Sequence, residues 1–522
     1  MTGLPLVLTI LDGFGVAPLT KGNPFRVART PVLKKLFATY PHTLLTASGR
    51  AVGLPAGQAG NSEAGHITIG AGRRVEQDGM RISDAITDGT FAKNTAIRAA
   101  IHHAQKHKSR LHLMGLVTNR QSGHADPLHV QALIELLRPL NIPVFIHCFT
   151  DGRDSSPFSS IKALHKLQAT LPAHIKIVTV IGRLYAMDRK KDWTRTRRAY
   201  EALMSGRGFS AATPEHAVLD AYNRGESDEF IQPTVVKYPD SLVRESRIHR
   251  NDSIIFWNFR SDRARQLTKA FVQQGFQRKN PHSFSVAGRP TGLLFVAMSD
   301  FGPDLGEVLT AFPAQDLKHT LTAELGDLRQ LYIAETEKYA HITYFFNGGY
   351  ANPVAHEERM HVPSPHLEHY DEQPAMGTPI IIDEAISALD HNTFDVIVMN
   401  IASPDMIGHT GNFRAGVRAI ENVDYELGRL AKTVIADHQG TLIVTGDHGN
   451  IEEMKRGPMK MIDTSHSTYP VPLLFASARR PNVRLHRGTL ANIAPTILRF
   501  LGRPIPEEMT KPLCNFSASR SS

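Results

Sequence analysis

The sequence predicts an α/β protein of two lobes, the second inserted into the first. Short apolar runs of strand length alternate with helical patterns along most of the chain. Several of these runs end in Asp, as strands of an open sheet do where they carry polar groups to a ligand-binding edge. The middle of the chain, residues 76–312, has a strand series of its own in which arginines follow the strands. It reads as a separate α/β lobe, hosted by residues 1–75 and 313–522.

A chain of 522 residues exceeds one ordinary core, since domains run to roughly 100–200 residues. With 41% hydrophobic and 21% charged residues the composition is that of a soluble globular protein, and no apolar run reaches the roughly 18 residues of a membrane span. The start, M-T-G-L-P-L-V-L-T-I-L-D-G, has no basic leader, and its apolar run closes in Asp-Gly as a buried strand does. No signal peptide is expected, and the cytoplasm is the expected compartment. Two cysteines give neither a disulfide framework nor a cysteine zinc site. Lysine and arginine exceed aspartate and glutamate by 59 to 50, a net charge of +9 that suits an anionic partner. No basic stripe with interleaved aromatics accompanies it, and the basic run at 195–198 reads as a solvated helix face. Nucleic acid is therefore not expected.

The elements follow in order. Residues 4–11 form an apolar run ending in Asp12-Gly13-Phe14-Gly15, a buried parallel strand that delivers Asp12 to its carboxyl end. A helix is expected at 31–40, with Pro31 in its first turn. Ser62 then lies in the glycine-rich stretch Q-A-G-N-S-E-A-G-H at 58–66, expected to be a loop. In the inserted lobe, strands are expected at 111–117, 143–149, 175–181, 253–257 and 292–297, and helices at 127–137, 159–170 and 193–204. A third set of strands is expected at 331–334, 342–346, 394–401 and 441–445.

The chemistry gathers at three of these strand ends. The run at 394–401 leads to Asp405, with His409 four residues further on; the run at 441–445 leads to Asp447-His448, and His466 follows. With Asp12, three strands each bring an Asp to one sheet edge, and clustered carboxylates call for cations. Taken singly, a D-x-x-x-H is commonly a surface pair, and Ser62 or Asn61 reads equally well as a helix cap. Together, three Asp, three His and the Ser62 hydroxyl suit two divalent ions better than one. Oxygen and imidazole without thiolate favour Mn²⁺, Zn²⁺ or Mg²⁺, with Mn²⁺ first. A serine hydroxyl needs a base or a metal to become a nucleophile, and no G-x-S-x-G elbow surrounds Ser62. In the inserted lobe T-D-G-R-D, G-R-L-Y-A-M-D-R and N-F-R-S-D-R present Arg153, Arg183, Arg189, Arg260 and Arg263, the means to grip a small anion. Asp154 stands among them as a candidate general base.

These stretches, with L-D-G-F-G, A-E-T-E-K-Y-A-H, P-D-M-I-G-H-T-G and G-D-H-G-N, closely resemble the cofactor-independent (2,3-bisphosphoglycerate-independent) phosphoglycerate mutases of the alkaline phosphatase superfamily. The resemblance runs over nearly the whole chain. It implies an alkaline-phosphatase-like metal domain with an inserted substrate domain, and isomerisation of 3-phosphoglycerate and 2-phosphoglycerate in glycolysis and gluconeogenesis, usually by a monomer. It also implies one metal on Asp405, His409 and His466, another on Asp12, Ser62, Asp447 and His448, and a phosphoserine on Ser62. The substrate groove would use His124, Arg153, Asp154, Arg183, Arg189, Arg260 and Arg263, with Lys338 at the domain junction. No 2,3-bisphosphoglycerate would be needed. The family's D-G-G-V-H-S-H is replaced here by N-R-Q-S-G-H-A-D at 119–126, where His124 lies. A related metal-dependent phosphatase, a phosphopentomutase, and a catalytically silent binding protein on the same core are the alternatives.

Overall fold

The computed structural model describes residues 4–120, 122–302, 304–367, 369–456, 461–478 and 483–514. It forms two compact units, one of Met1–Gln77 with Asp316–Ser522 and one of Asp78–Gln315.

The first unit is built on an eight-stranded sheet in the order Glu358–Val362, Gln330–Glu335, Val396–Ile401, Leu6–Leu11, Thr441–Gly446, Val471–Ser477, His42–Thr46, Gly488–Thr489. Leu6–Leu11 runs parallel to a neighbour on each side, and its alternate side chains feed two cores. Leu6, Leu8 and Ile10 pack with residues of the helices Ser62–Ala71 and Ile493–Phe500. Val7 and Leu11 pack with residues of Pro31–Thr39, Thr378–Asp390 and Phe413–Ala431. A strand buried on both faces has to be apolar throughout, as L-V-L-T-I-L nearly is. Leu11 lies opposite both Ile401 and Gly446, so Asp12, Ala402 and Asp447 leave the sheet side by side. Asp405 follows on the short helix Ser403–Gly408.

Two expectations need correction here. Ser62 does not sit in a loop but opens the helix Ser62–Ala71, and the cap is Asn61, whose side chain accepts the Ala64 N–H at 2.8 Å. The expected strand at 342–346 is instead a helical turn, His341–Phe345. Ile342 and Phe346, four apart, are fully buried while Tyr344 between them is 41% exposed, a helical rather than an alternating pattern. This turn packs tightly on the Ser62 helix, since a Cβ on Gly70 would come within 1.9 Å of the Phe346 carbonyl oxygen.

The second unit has its own eight-stranded sheet. Its order is Val308–Phe312, Leu294–Ser299, Ser253–Phe256, Leu111–Val117, Val144–Thr150, Ile175–Gly182, Thr234–Val236, Phe209–Ala211. All pairs are parallel except that of Ile175–Gly182 with Thr234–Val236. The expected helices appear as Pro127–Leu137, Ser160–Gln168 and Trp193–Ser205, the first capped by Asp126 and the last by Asp192.

Candidate active site

The register of the first sheet brings the expected metal ligands together. Ser62 Oγ lies 3.1 Å from Asp12 Oδ1 and 3.1 Å from His448 Nε2. Lys338 Nζ, buried in the same unit, donates to Ser62 Oγ at 2.8 Å and to Asp12 Oδ1 and Asp405 Oδ2 at 2.6 Å each. His409 and His466 present Nε2 to Asp405 Oδ1 at 3.4 and 3.3 Å, and the His448 and His466 rings stack at 4.0 Å between centroids. Asp12, Asp405 and Asp447 are all buried.

Burial alone would raise the Asp12 and Asp405 carboxyls, yet the Lys338 ammonium and hydrogen bonds from imidazoles hold both far below the usual range. Conversely, burial disfavours the Lys338 charge, but Asp12, Asp405 and Asp447 drive it well above its ordinary value. For His448 the pull of Asp447 and Asp12 overcomes burial and pushes the ring up to about 10. The centre thus attracts positive charge.

The donor set fits divalent metal. His409 Nδ1 lies 2.7 Å from Thr464 O, His466 Nδ1 2.8 Å from Gly60 O and His448 Nδ1 3.3 Å from Gly449 O. A carbonyl can only accept, so each Nδ1 carries a proton, and a metal would displace any proton on Nε2, whose lone pair then faces the centre. His409 and His466 Nε2 face each other at 3.0 Å, a contact that a shared cation relieves. Asp447 Oδ2 is buried without a hydrogen-bond donor. Among the described residues, two groups of donor atoms close within 4.8 Å: Asp405, His448 and His466, and Asp12, His66 and Asp447.

His66 was not expected from the sequence. Its Nδ1 reaches Ser62 O at 2.8 Å, and its Nε2 meets the side-chain amide of Asn400 at 2.9 Å, which also donates to Asp12 Oδ2 at 2.8 Å. Two signals were available: His66 is one helical turn beyond Ser62, and Asn400 is a polar residue inside an apolar strand.

In the second unit the expected anion-binding residues follow adjacent parallel strands. His124 comes after Leu111–Val117, Arg153 and Asp154 after Val144–Thr150, Arg183 directly after Ile175–Gly182, and Arg260 and Arg263 after Ser253–Phe256. Asp262, also unforeseen, accepts Arg189 Nη1 at 2.6 Å and lies 3.3 Å from Arg260 Nε and 3.8 Å from His124 Nδ1. Burial, then the Arg183 charge, lowers His124 to about 4, which keeps it neutral. Burial and the neighbouring guanidinium groups of Arg183, Arg189 and Arg153 lower Arg263, so this cluster favours an anionic ligand. Arg153 is half exposed, with Glu229 3.6 Å away.

The Metalloenzyme superfamily profile matches residues 4–504. The 2,3-bisphosphoglycerate-independent phosphoglycerate mutase of Moorella thermoacetica is 43% identical over 514 residues, 97% of each chain. That of Thermomicrobium roseum is 44% identical over 516 residues, again 97% of each. The chain belongs to the 2,3-bisphosphoglycerate-independent phosphoglycerate mutase family. A solved family structure, the phosphoglycerate mutase of Leishmania mexicana at low cobalt concentration, covers 99% of this chain and 98% of its own at a TM-score of 0.75 and 27% identity. The family's two-domain α/β architecture is the one described above.

Proposed function

We propose that the chain interconverts 3-phosphoglycerate and 2-phosphoglycerate, a step of glycolysis and gluconeogenesis, through a phosphoserine on Ser62. What carries this reading is the Ser62 hydroxyl, 2.8 Å from Lys338 Nζ and 3.1 Å from Asp12 and His448, in a chain whose relatives bear the mutase name. In this reading Met1–Gln77 with Asp316–Ser522 is the metal-bearing domain and Asp78–Gln315 the substrate domain. Asp405, His409 and His466 would hold one ion and Asp12, Ser62, Asp447 and His448 the other, with Mn²⁺ the first choice for such a donor set. When bound, these ions would act as Lewis acids that ease loss of the Ser62 proton and offset phosphoryl charge.

The chain's own residues do the rest. Ser62 Oγ attacks phosphorus in line, and the bond from phosphorus to the glycerate oxygen breaks. Lys338 Nζ and the N-terminus of the Ser62 helix face the charge on the transferring group. His124, Arg153, Arg183, Arg189, Arg260 and Arg263 hold the glycerate, and Asp154 passes a proton to the oxygen that leaves and takes one from the hydroxyl that returns. The glycerate turns and receives the phosphoryl group on its other hydroxyl, so no added 2,3-bisphosphoglycerate is required. Water must be kept out, because it competes for the phosphoserine. The proposal includes a monomer acting in the cytoplasm on this small substrate alone; no helix among the described residues is long and apolar enough to cross a membrane.

Phosphorus NMR of the Mn²⁺-loaded protein with 3-phosphoglycerate, and no bisphosphoglycerate, is the test. Formation of 2-phosphoglycerate is the expected result. Inorganic phosphate as the main product would make the chain a phosphatase, and an unchanged spectrum would make it a silent binding protein.

A further inference from the structure

Asp151 directly follows the strand Val144–Thr150 and is fully buried, yet the chemistry above gives it no part. Its Oδ1 takes the Arg183 guanidinium and the backbone N–H groups of Arg153 at 3.2 Å and Asp154 at 3.0 Å, while its Oδ2 takes the Thr118 hydroxyl. Arg183, 1% exposed, also reaches the second carboxylate, with Nη1 3.2 Å from Asp154 Oδ1. On its other oxygen Asp154 accepts from Ser122 Oγ at 2.7 Å, and that Oγ accepts the His124 N–H at 3.2 Å. One buried guanidinium is therefore shared by two carboxylates, only one of which has a proton to carry.

We propose that Asp151 and Ser122 are positioning residues that set the basicity of Asp154 in opposite senses: Asp151 by claiming the Arg183 charge as its own counter-ion, Ser122 by donating to the Asp154 carboxylate. The inference rests on the reading of Asp154 as the proton carrier. A carboxylate that owns a guanidinium outright is a poor base, because taking up a proton forfeits the ion pair. Asp151 divides that attraction and adds a like charge beside Asp154, and both effects favour proton uptake. Ser122 works the other way, since its hydrogen bond favours the ionised form. Among the described residues, the charged or titratable groups acting on Asp154 are Arg183 at the head of the short helix Arg183–Ala186 and His124 beyond the strand Leu111–Val117, which in turn feels Asp262 and Arg260. Burial raises the Asp154 carboxyl, but Ser122, Arg183 and His124 together leave it lowered, so the balance is open to either change.

Asp151→Asn isolates the charge. The Asn oxygen can keep Arg183 and the two backbone donors, and its NH₂ faces the Thr118 hydroxyl, which can turn to accept. The test is NMR titration of the full-length enzyme labelled with ¹³Cγ-aspartate, the Asp154 signal being identified by its loss in Asp154→Asn. In Asp151→Asn the Asp154 midpoint is expected to fall by about one pH unit, and kcat about tenfold as the base weakens. In Ser122→Ala the midpoint is expected to rise. A role in folding alone would not move the two midpoints in opposite directions. An Asp154 midpoint that is unmoved or raised in Asp151→Asn overturns the proposal, and if that variant does not fold, an unmoved or lowered midpoint in Ser122→Ala does so. Unimpaired turnover by Asp154→Asn would instead overturn the reading of Asp154 as proton carrier.

Discussion

Lys338 Nζ donates to Ser62 Oγ at 2.8 Å across 276 residues of sequence, while the same ammonium bridges the Asp12 and Asp405 carboxylates. In the proposed reaction the group that would offset negative charge is thus already in place beside the oxygen that would attack. Lys338→Met keeps the stem and removes the charge, and kcat should fall by roughly 10²–10³, the scale seen when one donor to a developing oxyanion is lost. Steady-state kinetics at saturating Mn²⁺ and substrate provides the check; a loss under threefold would leave Lys338 without a catalytic part.

Ser62→Ala should remove turnover, on the order of 10⁴-fold or more as for other lost nucleophiles, with Tm nearly unchanged. The reason for the second half is Asn61, which supplies the cap. Asn61→Ala is the mirror case and should cost about 1 kcal/mol of stability. Chemical unfolding of both variants separates nucleophile from cap.

Chelation should abolish activity and Mn²⁺ should restore it. Activity should also decline below neutral pH, because the Nε2 atoms of His409, His448 and His466 must be free of protons to bind metal. Full turnover by protein shown by elemental analysis to be metal-free would refute the two-metal assignment.

Glu335 gives the first unit a pH-dependent stability. Burial raises its carboxyl to about 7 from an ordinary 4.5, against the opposing hydrogen bond from Ser364. The folded state thus holds this proton more tightly than the unfolded chain does. Its contribution is fully present below about pH 4.5 and is lost as pH rises through about 7, up to about 3 kcal/mol at 1.36 kcal/mol per unit. Glu335→Gln resembles the protonated acid, so it should be close to neutral at pH 5 and stabilising at pH 8. Urea unfolding at the two values is the measurement.

The mutase and the phosphatase differ in what accepts the phosphoryl group from Ser62. A retained glycerate is present at an effective concentration of up to about 10⁵ M or more in good geometry, far above any diffusing acceptor. Phosphoryl groups should therefore not scramble between isotopically distinct 3-phosphoglycerate and free glycerate. Arg260→Ala should slow turnover and increase phosphate release, since the acceptor escapes more often. Extensive crossover in the wild type would show that glycerate leaves before it accepts.

The strands leading to Asp12, Asp405 and Asp447 were legible because a strand buried on both faces is a nearly uninterrupted apolar run, and a polar stretch just beyond it marks the sheet edge. Others were hidden for physical reasons. Val471–Ser477 contains Pro472, which argues against a strand, and Glu358–Val362 is an edge strand with polar faces. The run at 342–346 was too short for periodicity to separate helix from strand. At the site, Asp151 and Asp262 lie within T-D-G-R-D and N-F-R-S-D-R but, like Asn400, act on other side chains, a role that their motifs do not spell out. Asn400, for example, meets Asp12 and His66 across 388 and 334 residues, and no local spacing announces such a contact.

The pairing of Leu11 with both Ile401 and Gly446 has an evolutionary corollary. A single-residue insertion or deletion within any of these three strands would displace the residue leaving its end, Asp12, Ala402 or Asp447, by about 3.3 Å and swap the face it points to. Length variation is correspondingly barred from these six-residue stretches. The connections between them already absorb whole blocks of sequence, including the 238 residues of Asp78–Gln315, without disturbing that alignment. Lineages of this protein should therefore differ in loop length almost anywhere except along those three short segments.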